Sequence, residues 1–89
     1  MLGKAAISTA GRDKGRSYVI VEVLDEAYMI LSDGDKRKLE KPKKKKIKHL
    51  KITNVCFEEI RTKLEKHDKI TNAELRKALK TMDVVDMTK

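Results

Sequence analysis

The sequence predicts a mainly β domain, a small barrel of about five strands followed by two short C-terminal α-helices. Two observations in the 89 residues carry this reading. The first 50 residues alternate short apolar, β-branched stretches with turn signals, and five short strands so close together suit a barrel, whose closure protects their edges. Residues 53–83 instead place apolar side chains at helical spacing around a capping box. The chain thus divides into a barrel at 1–52 and a helical extension at 53–89.

The elements follow in order. Ala5-Ala6-Ile7-Ser8 is a short first strand. A polar loop with two glycines follows, and Tyr18–Leu24, rich in β-branched residues, is the second strand. Asp25-Glu26 marks a turn. Tyr28–Leu31 is a third strand, stopped by Ser32-Asp33-Gly34-Asp35, and the second and third strands form an antiparallel hairpin. Leu39, then Ile47 and Leu50, are the apolar points of two further short strands, and Pro42 suits an edge or turn. Beyond them Val55, Phe57, Ile60 and Leu64 fit a helical stripe, and His67-Asp68-Lys69 interrupts it. Thr71-Asn72-Ala73-Glu74 is a capping box, after which Leu75, Ala78, Leu79 and Met82 continue an apolar face. Neither helix is long enough to be stable alone, so both are expected to dock on the barrel or on a partner, with Val84–Lys89 frayed.

The charge is concentrated. The net charge is +8, yet residues 1–35 balance to −2 and residues 52–89 to +1. The excess lies in Lys36–Lys51, with ten basic residues against one acidic. A generic solvated surface interleaves its signs, so this density points to a polyanion. Other classes drop out. One cysteine makes no intrachain disulfide and, with two histidines, no zinc cage. There is no apolar run of transmembrane length and no secretory leader, so a soluble, cytoplasmic, reduced protein is expected, free of membranes and monomeric on its own. There is no NTPase phosphate loop and no supported Cys/His pair. Asp33-Gly34-Asp35 lacks the other ligands of a calcium loop. The expectation is a protein that is not an enzyme and uses no metal or cofactor.

Gly3–Gly15 resembles the KOW motif of RNA-binding SH3-like barrels, a strand, a Gly-x-x-Lys-Gly loop and a long apolar strand. Gly11-Arg12-Asp13-Lys14-Gly15 matches the loop residue for residue; where the family often has a further glycine, this chain has Tyr18. Glycine takes positive φ freely and admits a phosphate or ribose closely, and Arg12, Lys14 and Arg16 offer charge around it. Taken alone, the same five residues also suit a plain turn with solvated charges. The order of loop, two apolar strands, a basic run into Lys48-His49-Leu50 and a capped helix beginning Thr71-Asn72-Ala73-Glu74-Leu75 is similar to the archaeal and eukaryotic large-subunit ribosomal proteins of the fourteen-e type. That resemblance implies a structured, ribosomal RNA ligand.

The expected RNA-binding residues are therefore Gly11, Arg12, Lys14, Gly15 and Arg16 of the loop, Lys36, Arg37 and Lys38, and Lys43, Lys44, Lys45, Lys46, Lys48, His49 and Lys51 of a lysine-rich strand, forming one basic face. Lysines act on phosphates as point charges with little base specificity. Tyr18, Tyr28 and Phe57 are expected in the core, which disfavours base stacking and favours backbone and shape recognition. Cys56 is expected as a small buried apolar residue. Alternatives stay open: a solubilising charge run, a nuclear-import signal after Pro42, an anionic membrane surface, a protein-interaction SH3-like module whose helices bind the partner, or a transcription-associated KOW factor.

Overall fold

A computed structural model describes the backbone of residues 1–87 and the side chains of residues 1–82. The strands are β1 (Lys4–Ser8), β2 (Ser17–Val23), β3 (Tyr28–Ser32), β4 (Lys43–Lys46) and β5 (Leu50–Cys56), and the helices are α1 (Glu58–Glu65) and α2 (Asn72–Met87). A single 3-10 turn, Ile47–His49, joins β4 to β5. All strand pairs are antiparallel, in the order β4-β3-β2-β1-β5. This is the mainly β architecture the sequence predicts.

The sheet is strongly curled. β4 and β1 stand three ladders apart, about 14 Å if the sheet were flat. Yet the Lys45 ammonium of β4 lies 2.7 Å from the Ser8 hydroxyl of β1. Bulges help the bending. One falls in β2 between Ile20 and Glu22. A second irregularity lies in the β1–β5 ladder, where the Thr53 hydroxyl donates to the Ala5 carbonyl (2.8 Å).

β2 is a continuous apolar run because both its faces are covered. Tyr18 and Ile20 face the barrel interior, where they meet Ala6, Met29, Leu31 and Leu50. Val19 faces the other way and packs with Ile60 of α1 and Leu75 of α2. Both helices thus dock on the outside of the sheet, which stabilises elements too short to persist alone. Among the described residues no helix is long and apolar enough to cross a membrane.

Local signals act where the sequence placed them. Asp25 accepts the N–H groups of Ala27 and Tyr28 in the β2–β3 turn. Thr71 caps α2 by accepting the Glu74 N–H (3.2 Å). The Glu74 carboxylate turns instead to Lys63 on α1 (3.1 Å). His67 ends α1 with φ 59°, and the N–H groups of His67 and Asp68 return to the carbonyls of Leu64 and Lys63, a Schellman turn.

Several boundaries differ from expectation. Leu39 is not in a strand; it lies in a turn, gives its N–H to the Asn72 side chain (2.8 Å) and packs in the helix-facing cluster. Ile47, expected as the apolar point of a strand, opens the 3-10 turn, and Lys48 and His49 complete it. Val55 and Cys56 continue β5, because Cys56 pairs with Lys4 and the next N–H, of Phe57, bonds to the Gly3 carbonyl. The helical stripe therefore starts at Phe57, and Cys56 is only partly buried. Val84–Met87, expected to fray, continue α2, while Thr88 and Lys89 lie outside the described residues.

Gly34 fixes how α2 meets the β3–β4 loop. Its φ is +74°, and a Cβ there would run into the Asn72 carbonyl. Gly15 has φ +90° but open space around the same position. Gly34→Ala is expected to destabilise the fold by about 2 kcal/mol or more, from strain plus overlap. Gly15→Ala should lose only the strain, about 1 kcal/mol. Equilibrium urea unfolding measures both, and equal losses would show that the space beside Asn72 is not limiting.

Candidate nucleic-acid interface

The loop between β1 and β2 is tightly turned. Gly11 and Gly15 both have positive φ, +85° and +90°. Backbone hydrogen bonds run from Lys14 N to Gly11 O, from Arg16 N to Asp13 O and from Gly15 N to Ser8 O. Gly11, Arg12, Lys14 and Gly15 are exposed, whereas Asp13 turns inward and is buried.

Asp13 is the centre of a buried polar network. Its Oδ1 accepts from Lys45 Nζ at 2.6 Å and from the Ser8 hydroxyl at 2.8 Å. Its Oδ2 accepts from the Tyr18 hydroxyl at 2.9 Å and lies 3.0 Å from Lys43 Nζ. Lys45 donates twice more, to Ser8 Oγ (2.7 Å) and to the Ala10 carbonyl (2.8 Å). An ammonium has three protons, so Lys45 is fully used. Among the described residues no buried side-chain nitrogen or oxygen lacks a partner.

These contacts set the local titration. Burial by itself would raise the Asp13 carboxyl. The hydrogen bonds from Lys45, Lys43, Ser8 and Tyr18 outweigh it and hold Asp13 well below the usual carboxylate range. Tyr18 is pushed up to about 12 by burial, then by its hydrogen bond to Asp13 and the negative charge there.

Strand alternation divides the lysine run. Lys43 and Lys45 point to Asp13, and Lys44 and Lys46 to the opposite side. This corrects the expectation that Lys45 lines a ligand: it is 9% exposed and holds the loop from beneath. Lys43 is half-buried and paired. The expected single basic face becomes two sides of β4, one against the loop and one on the outer sheet. There the ammonium groups of Lys44 and Lys46 lie 4.5 and 6.0 Å from the Tyr28 ring centroid. Tyr28 is consequently an outer-face residue and not a core one.

The remaining expected residues surround the loop. Arg16 is half-buried and approaches Asp33 at 3.8 Å. Lys36, Arg37 and Lys38 are exposed on the β3–β4 loop. That loop is shaped by Asp33 accepting the N–H groups of Asp35 and Arg37, and is held by Arg76 of α2 donating to the Gly34 carbonyl (2.6 Å). Lys48 and Lys51 are exposed. His49 is half-buried, and its carbonyl accepts the Thr9 N–H (2.9 Å). The structure therefore brings the loop against β4, the start of the β3–β4 loop and the 3-10 turn. Sequence reasoning missed Ser8, Asp13 and Tyr18 as loop-holding residues. Two signals pointed to them: Asp13 is the only acid in the loop, and four successive lysines in one strand must send every second one inward.

No family model matches the chain. It is 28% identical over 72 residues to YbzG of Bacillus subtilis (strain 168), a protein whose name proposes ribosome binding; the match covers 81% of this chain and 97% of YbzG. It is 32% identical over 53 residues to the large ribosomal subunit protein eL14 of Desulfurococcus amylolyticus, covering 60% of this chain and 55% of that protein. Against eL14 of Methanococcus maripaludis the identity is 43% over 37 residues, 42% of this chain and 48% of the other. The matched stretch thus spans about half the length of the two eL14 proteins. The similarity to ribosomal proteins of the fourteen-e type, expected from the sequence, is found again in these comparisons.

Asp13→Asn leaves the Lys45 ammonium buried without its counter-charge and is expected to cost about 3 kcal/mol or more. Adding Lys45→Met to Asp13→Asn should recover part of that loss, because no unpaired buried charge remains. Urea midpoints of the three chains test this, and a double variant worse than Asp13→Asn alone would refute it. The pH dependence has a definite sign. Asp13 is lowered on folding, so its contribution is present above the unfolded value of about 4 and drains away as pH falls below it. Wild-type stability should fall more steeply over that acidic range than that of Asp13→Asn.

Proposed function

We propose that the chain is a KOW-type, SH3-like RNA-binding protein that associates with the large ribosomal subunit through ribosomal RNA. The Gly11–Gly15 loop carries the proposal. It is anchored from below by Asp13 and Lys45 and presents Arg12 and Lys14 to solvent. A loop fixed before binding loses little conformational freedom when a phosphate docks. Exposed Lys36, Arg37, Lys38, Lys44, Lys46, Lys48 and Lys51 extend the positive potential, and each phosphate neutralised releases counterions. The similarity to YbzG and to eL14 supports a ribosomal partner. In this reading the protein acts in the cytoplasm by binding and not by catalysis, without a cofactor, as a monomer when free.

Sedimentation of a native lysate on sucrose gradients at low and high salt tests the assignment. Cosedimentation with large subunits and ribosomes is expected. Confinement to the top of the gradient at both salts would overturn it. The exposed and buried basic side chains respond differently to salt. With purified large-subunit RNA, Arg12→Ala and Lys14→Ala should each flatten the log–log salt dependence by about 0.7–0.9 per lost contact. Lys45→Met should lower stability and leave the slope of the folded protein unchanged. A slope indifferent to Arg12 and Lys14 would remove the loop from the interface.

A further inference from the structure

Tyr28 opens β3 on the outer face of the sheet and is half-buried. Lys46 is directly opposite it in the ladder, and Lys44 stands two residues away on the same side of β4. Their ammonium groups lie 6.0 and 4.5 Å from the ring centroid. Among the described residues β4 ends the sheet order, so this ring and its two cations sit at an edge strand. Of the acids close to Tyr28 in sequence, Asp25 has its Oδ1 engaged by the N–H groups of Ala27 and Tyr28, while Glu22 and Glu26 are exposed.

Resting on the RNA reading above, we propose that Tyr28 is a stacking platform for an unpaired RNA base, with Lys44 and Lys46 on the phosphates flanking that base. A base holds the ring more tightly than the ammonium groups do. An exposed cation over an aromatic ring is worth about 2- to 5-fold in an equilibrium. A base stacked on such a ring is worth about 5- to 150-fold in affinity. The lysine stems are flexible, so the ammonium groups can leave the ring for phosphates while a base takes their place. Every base has a π-face, so the site takes unpaired RNA with little choice of sequence. A duplex keeps its bases stacked on each other and offers only its backbone.

The test uses the full chain with two probes, a single-stranded oligoadenylate and a blunt RNA duplex of equal length. The Tyr28 ring protons are followed by NMR and affinity is measured across a salt series. Expected are upfield shifts of the ring protons with oligoadenylate and none with duplex. Tyr28→Leu should weaken oligoadenylate binding by about 5- to 150-fold with an unchanged salt slope, and Tyr28→Phe should retain it. Salt-dependent oligoadenylate binding with unmoved ring protons would overturn the platform and leave the RNA reading standing, Tyr28 then serving only to seat two edge-strand lysines. Binding of the duplex alone would overturn it likewise. Failure of the folded protein to bind either probe would remove the RNA reading and the platform together. The ring shifts are read on the wild-type chain, so the test survives a poorly folding variant.

Discussion

The buried ion pair between Asp13 and Lys45 is the constraint on which the rest of this molecule depends. It joins residues 32 positions apart and closes the sheet, since β4 can reach β1 only in a curled barrel. It also fixes the loop, because the same ammonium holds the Ala10 carbonyl while the carboxylate takes the Ser8 and Tyr18 hydroxyls. A buried pair of this kind is a modest source of net stability, because desolvation offsets most of the attraction. Its effect is on conformation. With every donor and acceptor matched, alternative loop shapes would strand a charge in the interior.

The lysine run illustrates how one local pattern serves two physical tasks. An exposed edge strand is a template for pairing with other chains, and lysines on it are a standard deterrent. In β4 the outward pair, Lys44 and Lys46, meets that need and sets its two ammonium groups over Tyr28. The inward pair, Lys43 and Lys45, is tolerated in a small apolar barrel only because Asp13 is there to receive it. Counting all four as equivalent surface charges would overstate the available positive potential and miss the structural share of the run.

The helices complete the picture from the outer side. β2 needs cover on both faces, and α1 and α2 supply the second through Ile60 and Leu75 against Val19. In docking there, α2 also holds the β3–β4 loop, through Asn72 to Leu39 and Arg76 to Gly34. The basic residues of that loop are thus positioned by a helix some forty residues away. Arg16 and Asp33 link the same loop to the glycine loop (3.8 Å). Packing energy from an apolar face is in this way converted into the placement of exposed charge.

What the sequence determined by itself is what short-range chemistry controls. The β2–β3 hairpin, the Asp25 turn, the Thr71 cap and the two loop glycines were all legible, because each depends on the dihedral preferences or hydrogen bonds of a few adjacent residues. The concentration of charge in Lys36–Lys51 was legible too, because it is a property of composition alone. The tertiary structure alone decided which lysines face inward, that β5 runs on to Cys56, that Leu39 answers to Asn72, and that Tyr28 stands outside the core. The Leu39 contact follows from how α2 docks, and the others turn on strand register and sheet curl. Register moves a side chain from one face to the other with a shift of a single residue, and only the long-range pairing of β1 with β5 and of β3 with β4 fixes it.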